Sequence, residues 1–288
     1  MRARARLVAG AAGPGSAAVL RSEPPLVLRP APDAVHLSQG AAGPLNGDDL
    51  ELDVEVPAGR TLRLRAVAAT LALPSRCPVP FRRDGPARIV LNAHVEEGAR
   101  LDVLLEPVIV ADGASVHVIT RLDLAENAQL LWREEVVLGR YGEAGGQVTT
   151  RVDVGYAGRP LLRTGMALRG GDPVTHGPAV LGGQGLTRHR AVGTLLAVGF
   201  GSTGRQPEPS SAELSLPGPG TLFTVVASSA LAMRRELDGY LQALSQGAGA
   251  ADAAAAEGAA AAPAVLPTET PGADQPRRAP SQSRKVRA

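Results

Sequence analysis

A chain of 288 residues, 44% of them hydrophobic, can bury a sizeable core in one large domain or two small ones. Its 30 basic and 28 acidic side chains leave a formal net charge of +2, which creates no long-range field for nucleic acid or anionic lipid. Aromatic residues are only 2% of the total against 34 Gly and 24 Pro, so small and branched aliphatic side chains must fill the interior, a composition that favours strands over bulky helical packing.

The opening stretch, Met1 to Leu20, carries Arg2, Arg4 and Arg6 ahead of apolar residues, as a signal peptide does, but Gly10, Gly13, Pro14 and Gly15 interrupt it. No apolar run reaches the ~20 residues needed to cross a bilayer, so no membrane segment is expected. Cys77 is the only cysteine, which rules out an internal disulfide and a paired-cysteine metal site and makes the cytoplasm the expected compartment.

From Asp49 to Val56 the chain alternates strictly, with Leu50, Leu52, Val54 and Val56 on one face and Asp49, Glu51, Asp53 and Glu55 on the other, the mark of a half-buried strand. Pro57, Ala58 and Gly59 supply a turn, as a hairpin or a tight corner, and the returning Leu62 and Leu64 would set Arg63 and Arg65 beside those carboxylates. The same grammar recurs around Gly98, Gly113 and Asn127, residues that tolerate positive φ and are spaced by 15 and 14. Such spacing fits a meander of hairpins or the coils of a β-solenoid, and stacked, β-helix-like layers are the favoured reading.

Between Arg169 and Arg190 a run of glycines and prolines reads as a long loop. Strands follow at Ala191 to Phe200 and Thr221 to Ala227. Ser228 or Ser229 then caps a helix on which Met233, Leu237, Tyr240, Leu241 and Leu244 form one apolar stripe, with Arg234, Arg235, Asp238 and Gln242 opposite, before Gly247 stops it. That stripe covers the core or docks a partner through Leu237 and Leu241. The Ala, Gly and Pro of 247–288 lack the large apolar residues needed to order a chain, so the expected layout is a mainly β single domain over 1–246, with a few helices and a disordered tail.

Motifs for chemistry are sparse. With no lysine before Lys285 there is no P-loop, and Gly183-Gln184-Gly185 departs from a dinucleotide fingerprint at Arg188. No Gly-x-Ser-x-Gly elbow occurs, and no catalytic residue is assigned. His36, His94, His117, His176 and His189 are dispersed, although His94 and His117 could meet across strands, and His176 has the freedom of its loop. Glu134 and Glu135 lie just after the one tryptophan, Trp132, a placement that implies a specific environment for at least one of them, the plainer reading being one strand residue in and one out.

Several segments together resemble the UreD (also called UreH) family of urease accessory proteins in its actinobacterial form. The first is Gly43-Pro44-Leu45-Asn46-Gly47-Asp48-Asp49-Leu50 with its strand, and the second Ala68-Ala69-Thr70. Leu105-Glu106-Pro107-Val108-Ile109 follows, then Glu134-Glu135-Val136-Val137-Leu138-Gly139-Arg140, and then Gly145-Gly146. The match runs from about Arg4 to about Leu244. Many relatives carry Lys after the Ala-Thr pair, where this chain has Leu71.

The resemblance implies an elongated, β-helix-like, non-enzymatic scaffold that binds UreF, through it the GTPase UreG, and the urease subunits, and is compatible with a homodimer inside that complex. It implies transient passage of nickel without a permanently bound cofactor, which needs weak, exchangeable ligands. Asp48, Glu134 and Glu135 are the candidates for a polar path, shaped by Gly47, Arg140 and Gly146, and alanine at Glu134 and Glu135 together should lower nickel loading in a folded scaffold. The strand repeats alone also suit a secreted β-helical carbohydrate-active enzyme, or a generic β interaction module.

Overall fold

The computed structural model describes residues 1–75, 85–170, 189–201 and 203–260. Cys77, His176 and most of the expected loop between Arg169 and Arg190 lie outside the described residues, as does 261–288.

In chain order the strands are β1 (Arg2–Ala9), β2 (Ala17–Ser22), β3 (Leu26–Pro30), β4 (Val35–Gln39), β5 (Asp49–Val56), β6 (Thr61–Ala66), β7 (Thr70–Ala72), β8 (Ala87–Val95) and β9 (Arg100–Leu104). They continue as β10 (Val108–Val110), β11 (Ser115–Leu124), β12 (Gln129–Leu138), β13 (Gln147–Tyr156), β14 (Arg159–Arg169), β15 (Ala191–Val198), β16 (Ser211–Ser215) and β17 (Gly220–Ala227), and the helix α1 spans Ala230–Ala260. The arginine-rich opening is thus a sheet strand, with Ala3, Ala5 and Leu7 buried.

Two sheets form. The first has the order β14-β13-β11-β8-β5-β1-β2, the second β16-β17-β15-β12-β9-β6-β4-β3, with β10 beside β12 and β7 beside β10. From β1 to β13 neighbours in the first sheet run parallel, and so do β4, β6, β9 and β12 in the second. The chain alternates between sheets, β5 to β6, β8 to β9 and β11 to β12, each time through a corner at a positive-φ residue, Gly59, Gly98 or Asn127. Backbone bonds stack these corners: Glu96 N donates to Val56 O at 2.9 Å, and Gln129 N to Ala99 O at 2.8 Å.

The turn after Val56 is therefore a corner between sheets. Gly113 turns the chain between β10 and β11, at the other end of a coil, so the even spacing in the sequence counts two kinds of corner as one. Arg63 and Arg65 do not meet the β5 carboxylates, because β6 leaves for the second sheet. The partners come from parallel neighbours instead: Arg4 on Glu51, Arg6 on Glu55 at 3.0 Å and Arg88 on Asp49 at 3.0 Å. Arg63 faces Asp102. The parallel register also separates the two strand histidines, with His117 beside Arg88 and His94 beside Asp123.

The main core lies between the sheets, where side chains such as Leu7, Leu52, Leu62, Leu101 and Leu130 are fully enclosed. A second core forms where α1 crosses the outer face of the second sheet. There Met233, Leu237, Tyr240 and Leu244 pack on Ala191, Leu195, Phe223 and Val225, and the Phe223 and Tyr240 rings stack 4.2 Å apart. Ser229 is the cap: its Oγ accepts from Ala232 N at 3.2 Å. The helix continues through Gly247 to Ala260, since an alanine-rich run absorbs the ~1 kcal/mol that a helical glycine costs.

Gly193 on β15 lets α1 come close. A Cβ there would fall 2.6 Å from Leu237 Cδ1 and 2.9 Å from Met233 Cγ. Gly193→Val is expected to lower stability by about 1–3 kcal/mol through overpacking, read as a lower urea midpoint with an unchanged slope.

Candidate functional site

Alternation along β12 sends Leu130, Trp132, Glu134, Val136 and Leu138 towards the first sheet and Leu131, Arg133, Glu135 and Val137 towards α1. On one side β12 is paired without a break, with Glu134 opposite Thr194 and Glu135 opposite Gly193 of β15. On its other side the ladder is interrupted. β9 pairs with β12 up to Arg133 and β10 resumes at Val136, so Glu134 and Glu135 face the irregular Leu105-Glu106-Pro107. One strand further out the same gap recurs between β6 and β7, at Val67 to Ala69. The two interruptions line up as a seam across the second sheet.

Behind the seam, Glu134 Oε1 accepts hydrogen bonds from Thr120 Oγ1 of the first sheet and from Trp132 Nε1 at 3.0 Å. Burial raises its pKa above the ordinary carboxylate range, against the opposing pull of those two donors. In front of the seam, Glu135 is enclosed and ion-paired twice: Oε1 lies 2.9 Å from Arg133 Nε, and Oε2 accepts from Arg234 Nη2 at 2.7 Å. Its pKa is also raised, because burial outweighs the hydrogen bond from Arg234 and the charge of Arg133. Arg234 forks onto both oxygens of Glu106 at 3.1 Å, and Arg133 reaches Asp238 at 3.1 Å.

Two cavities meet at Glu134. One, of about 80 Å³, lies under the seam and is lined by Thr70, Leu105, Glu106, Trp132, Glu134 and Glu135 among others. The other, of about 260 Å³, opens between β14 and β16, with Thr150, Thr164, Thr194 and Glu213 in its wall. Trp132, Glu134 and Thr150 belong to both. Glu134 thus stands in the wall shared by the two cavities, between the seam and that open side, amid mainly apolar linings that also hold threonine hydroxyls. A larger open groove, of about 810 Å³, crosses the outer face of the first sheet, where acids lie beside basic partners, as His94 Nδ1 does 3.2 Å from Asp123.

The remaining sequence candidates sit elsewhere. Asp48, 2% exposed, anchors the turn before β5 by accepting from Leu45 N at 2.8 Å, and Gly47 takes φ 82° in the same turn. Arg140 is an exposed partner of Glu143, whose carboxyl is held down at about 2 chiefly by the Arg140 side chain. Gly146 is squeezed, since a Cβ would fall 2.1 Å from Ala114 O. Asn46 and Gly146 both bond to the 110–115 turn, so Gly47–Asp48 and Gly146 share one edge, whereas Glu134 and Glu135 lie at mid-strand. Asp48 lines neither inner cavity. Leu237 is fully buried and Leu241 half-buried, so the stripe of α1 is spent on the sheet.

Sequence reasoning did not find Thr120, Glu106, Arg133 or Arg234. Arg234 and Asp238 belong to the polar side of the helix by sequence; the long Arg234 side chain reaches back to Glu106 and Glu135 on the sheet, and the long Arg133 side chain reaches out to Asp238. Among the described residues no group of three or more His, Cys, Asp or Glu stands close enough to hold a metal. No described helix is long and apolar enough to cross a membrane.

The model of the UreD urease accessory proteins matches residues 1–261. The chain belongs to the UreD family. Among UreD relatives, the urease accessory protein UreD of Frankia alni is 40% identical over 278 residues, covering 82% of this chain and 90% of its own. UreD 3 of Streptomyces griseus subsp. griseus is 41% identical over 258 residues, covering 85% and 97%, and UreD of Streptomyces coelicolor is 38% identical over 257 residues, covering 85% and 97%. The resemblance to actinobacterial UreD proteins drawn from the sequence is thereby borne out.

Proposed function

We propose that this chain serves urease maturation as a non-catalytic cytoplasmic scaffold that lets nickel cross its interior on the way to apo-urease. In this reading it works with UreF, with UreG through UreF, and with the urease subunits, and no cofactor stays bound. Family membership and the relatives' shared description as urease accessory proteins support the role. One observation carries the passage: two mainly apolar cavities, each with threonine hydroxyls and carboxylates in its wall, share Glu134 directly behind a gap in the second sheet. Transit needs weak, exchangeable ligands, because a tight cage would hold the ion. The parallel strands passing from sheet to sheet through stacked corners support reading the body as β-solenoid coils. A partner would meet α1 on the side left by its buried stripe, with Leu241 at the border.

The test is co-purification of the tagged chain with urease subunits and UreF, together with metal analysis of urease matured with and without it. Urease that carries equal nickel in both cases would sink the proposal. The carbohydrate-active alternative is not favoured. Sugar grooves rely on exposed rings, and among the described residues only Tyr141 is an exposed aromatic.

A further inference from the structure

On the outer face of the second sheet, a cation of the chain itself is paired with two acids, Glu106 and Glu135, that line the cavity under the seam. Glu106 lies in the interruption between β9 and β10, and Glu135 lies on the β12 side of it. Arg234, in the first turns of α1, spans the gap, with both terminal nitrogens on Glu106 and one of them also on Glu135. One turn later Asp238 holds Arg133, so two successive turns of the helix set opposite charges over the seam.

We propose that Arg234 is an exchangeable plug, a guanidinium that occupies the carboxylate oxygens at the mouth of the passage and must be drawn off before a divalent cation can use them. The inference rests on the passage reading above and adds its regulation. Three of the four carboxylate oxygens at the mouth face Arg234, and its charge repels an incoming cation at the point where that cation would need Glu106 and Glu135. Two observations separate a plug from a permanent clamp. The mouth is in reach of solvent, the side chains of Arg234 and Glu106 being 24% and 34% exposed, and Arg234 Nε is buried without a hydrogen-bond partner, so the fork is not fully satisfied. The hold of α1 on the sheet comes from Met233, Leu237, Tyr240 and Leu244 and does not need this guanidinium. A partner that tilts the first turns of α1, or offers Arg234 a carboxylate of its own, would open the mouth.

The test is calorimetric titration of the purified full-length protein with Ni²⁺. Arg234→Gln is expected to bind about tenfold more tightly than the parent, and the gain is expected to vanish in the Glu106→Gln, Arg234→Gln double variant. A folded Arg234→Gln protein that binds no more tightly overturns the plug, and so does a gain that survives in the double variant, since the ion then sits elsewhere. Should Arg234→Gln fail to fold, Arg234→Lys takes its place: an ammonium cannot reproduce the planar fork onto both oxygens of Glu106 while holding Glu135, so a gain of about threefold is expected and its absence overturns the proposal. Glu134→Gln keeps the two readings apart. If it lowers the nickel content of urease while Arg234→Gln binds as the parent does, the plug fails and the passage stands; if it leaves nickel content unchanged, the passage fails, whatever Arg234→Gln does.

Discussion

Glu134→Gln is expected to make the protein more stable at pH 7 and at the same time to reduce the nickel that reaches urease. Burial between the sheets raises the pKa of Glu134 in the folded state above that of the unfolded chain, which is near the ordinary carboxylate value of ~4.3. Below that value both states hold the proton and the site costs nothing. As pH rises the unfolded chain ionises first, so the native state loses stability until its own carboxyl ionises, and above that point the loss is constant. Glutamine is neutral throughout, and its carbonyl can still accept from Thr120 and Trp132. The gain over the parent should therefore be complete above the folded pKa and fade as pH falls towards 4 and below, as urea unfolding at pH 7.5 and pH 4 will show. Loss of the carboxylate shared by the two cavities should cut nickel delivery by roughly tenfold, the scale on which losing one polar group acts at metal sites. A purely structural Glu134 would move stability and delivery in the same direction; opposite movement marks the passage.

Glu135→Ala should do the reverse to stability. Its own titration is also raised by burial, but the outcome of removing it is set by what remains. Arg133, 7% exposed, and Arg234 stay charged at neutral pH and would face the gap without their shared acid. Breaking a buried pair from one side costs about 3–5 kcal/mol, which should appear as a large drop in the urea midpoint. An unchanged midpoint would show that the Arg133, Arg234 and Asp238 network repacks around the loss. For the same reason, alanine at Glu134 and Glu135 together does not isolate the path, because it unpairs Arg133 as it removes Glu134. The single Glu134→Gln does isolate it.

Some features were legible in the residues alone because they are local. Period-two alternation from Asp49 to Val56 is a property of eight neighbouring residues, and its burial in the fold follows it position by position. The corner residues Gly59, Gly98 and Asn127, the apolar stripe of α1 and the short runs that carry the family likeness are equally local, so strand content, the C-terminal helix and membership of UreD needed no coordinates. Tertiary structure decided which segments become neighbours. Arg4, Arg6 and Arg88, not Arg63 and Arg65, meet the acids of β5, because parallel strands pair across tens of residues and their register is set by how the two sheets pack. The same packing turned Glu134 inward and Glu135 outward, aligned two strand interruptions into a seam and laid Arg234 over it, relations between distant segments that no local period encodes.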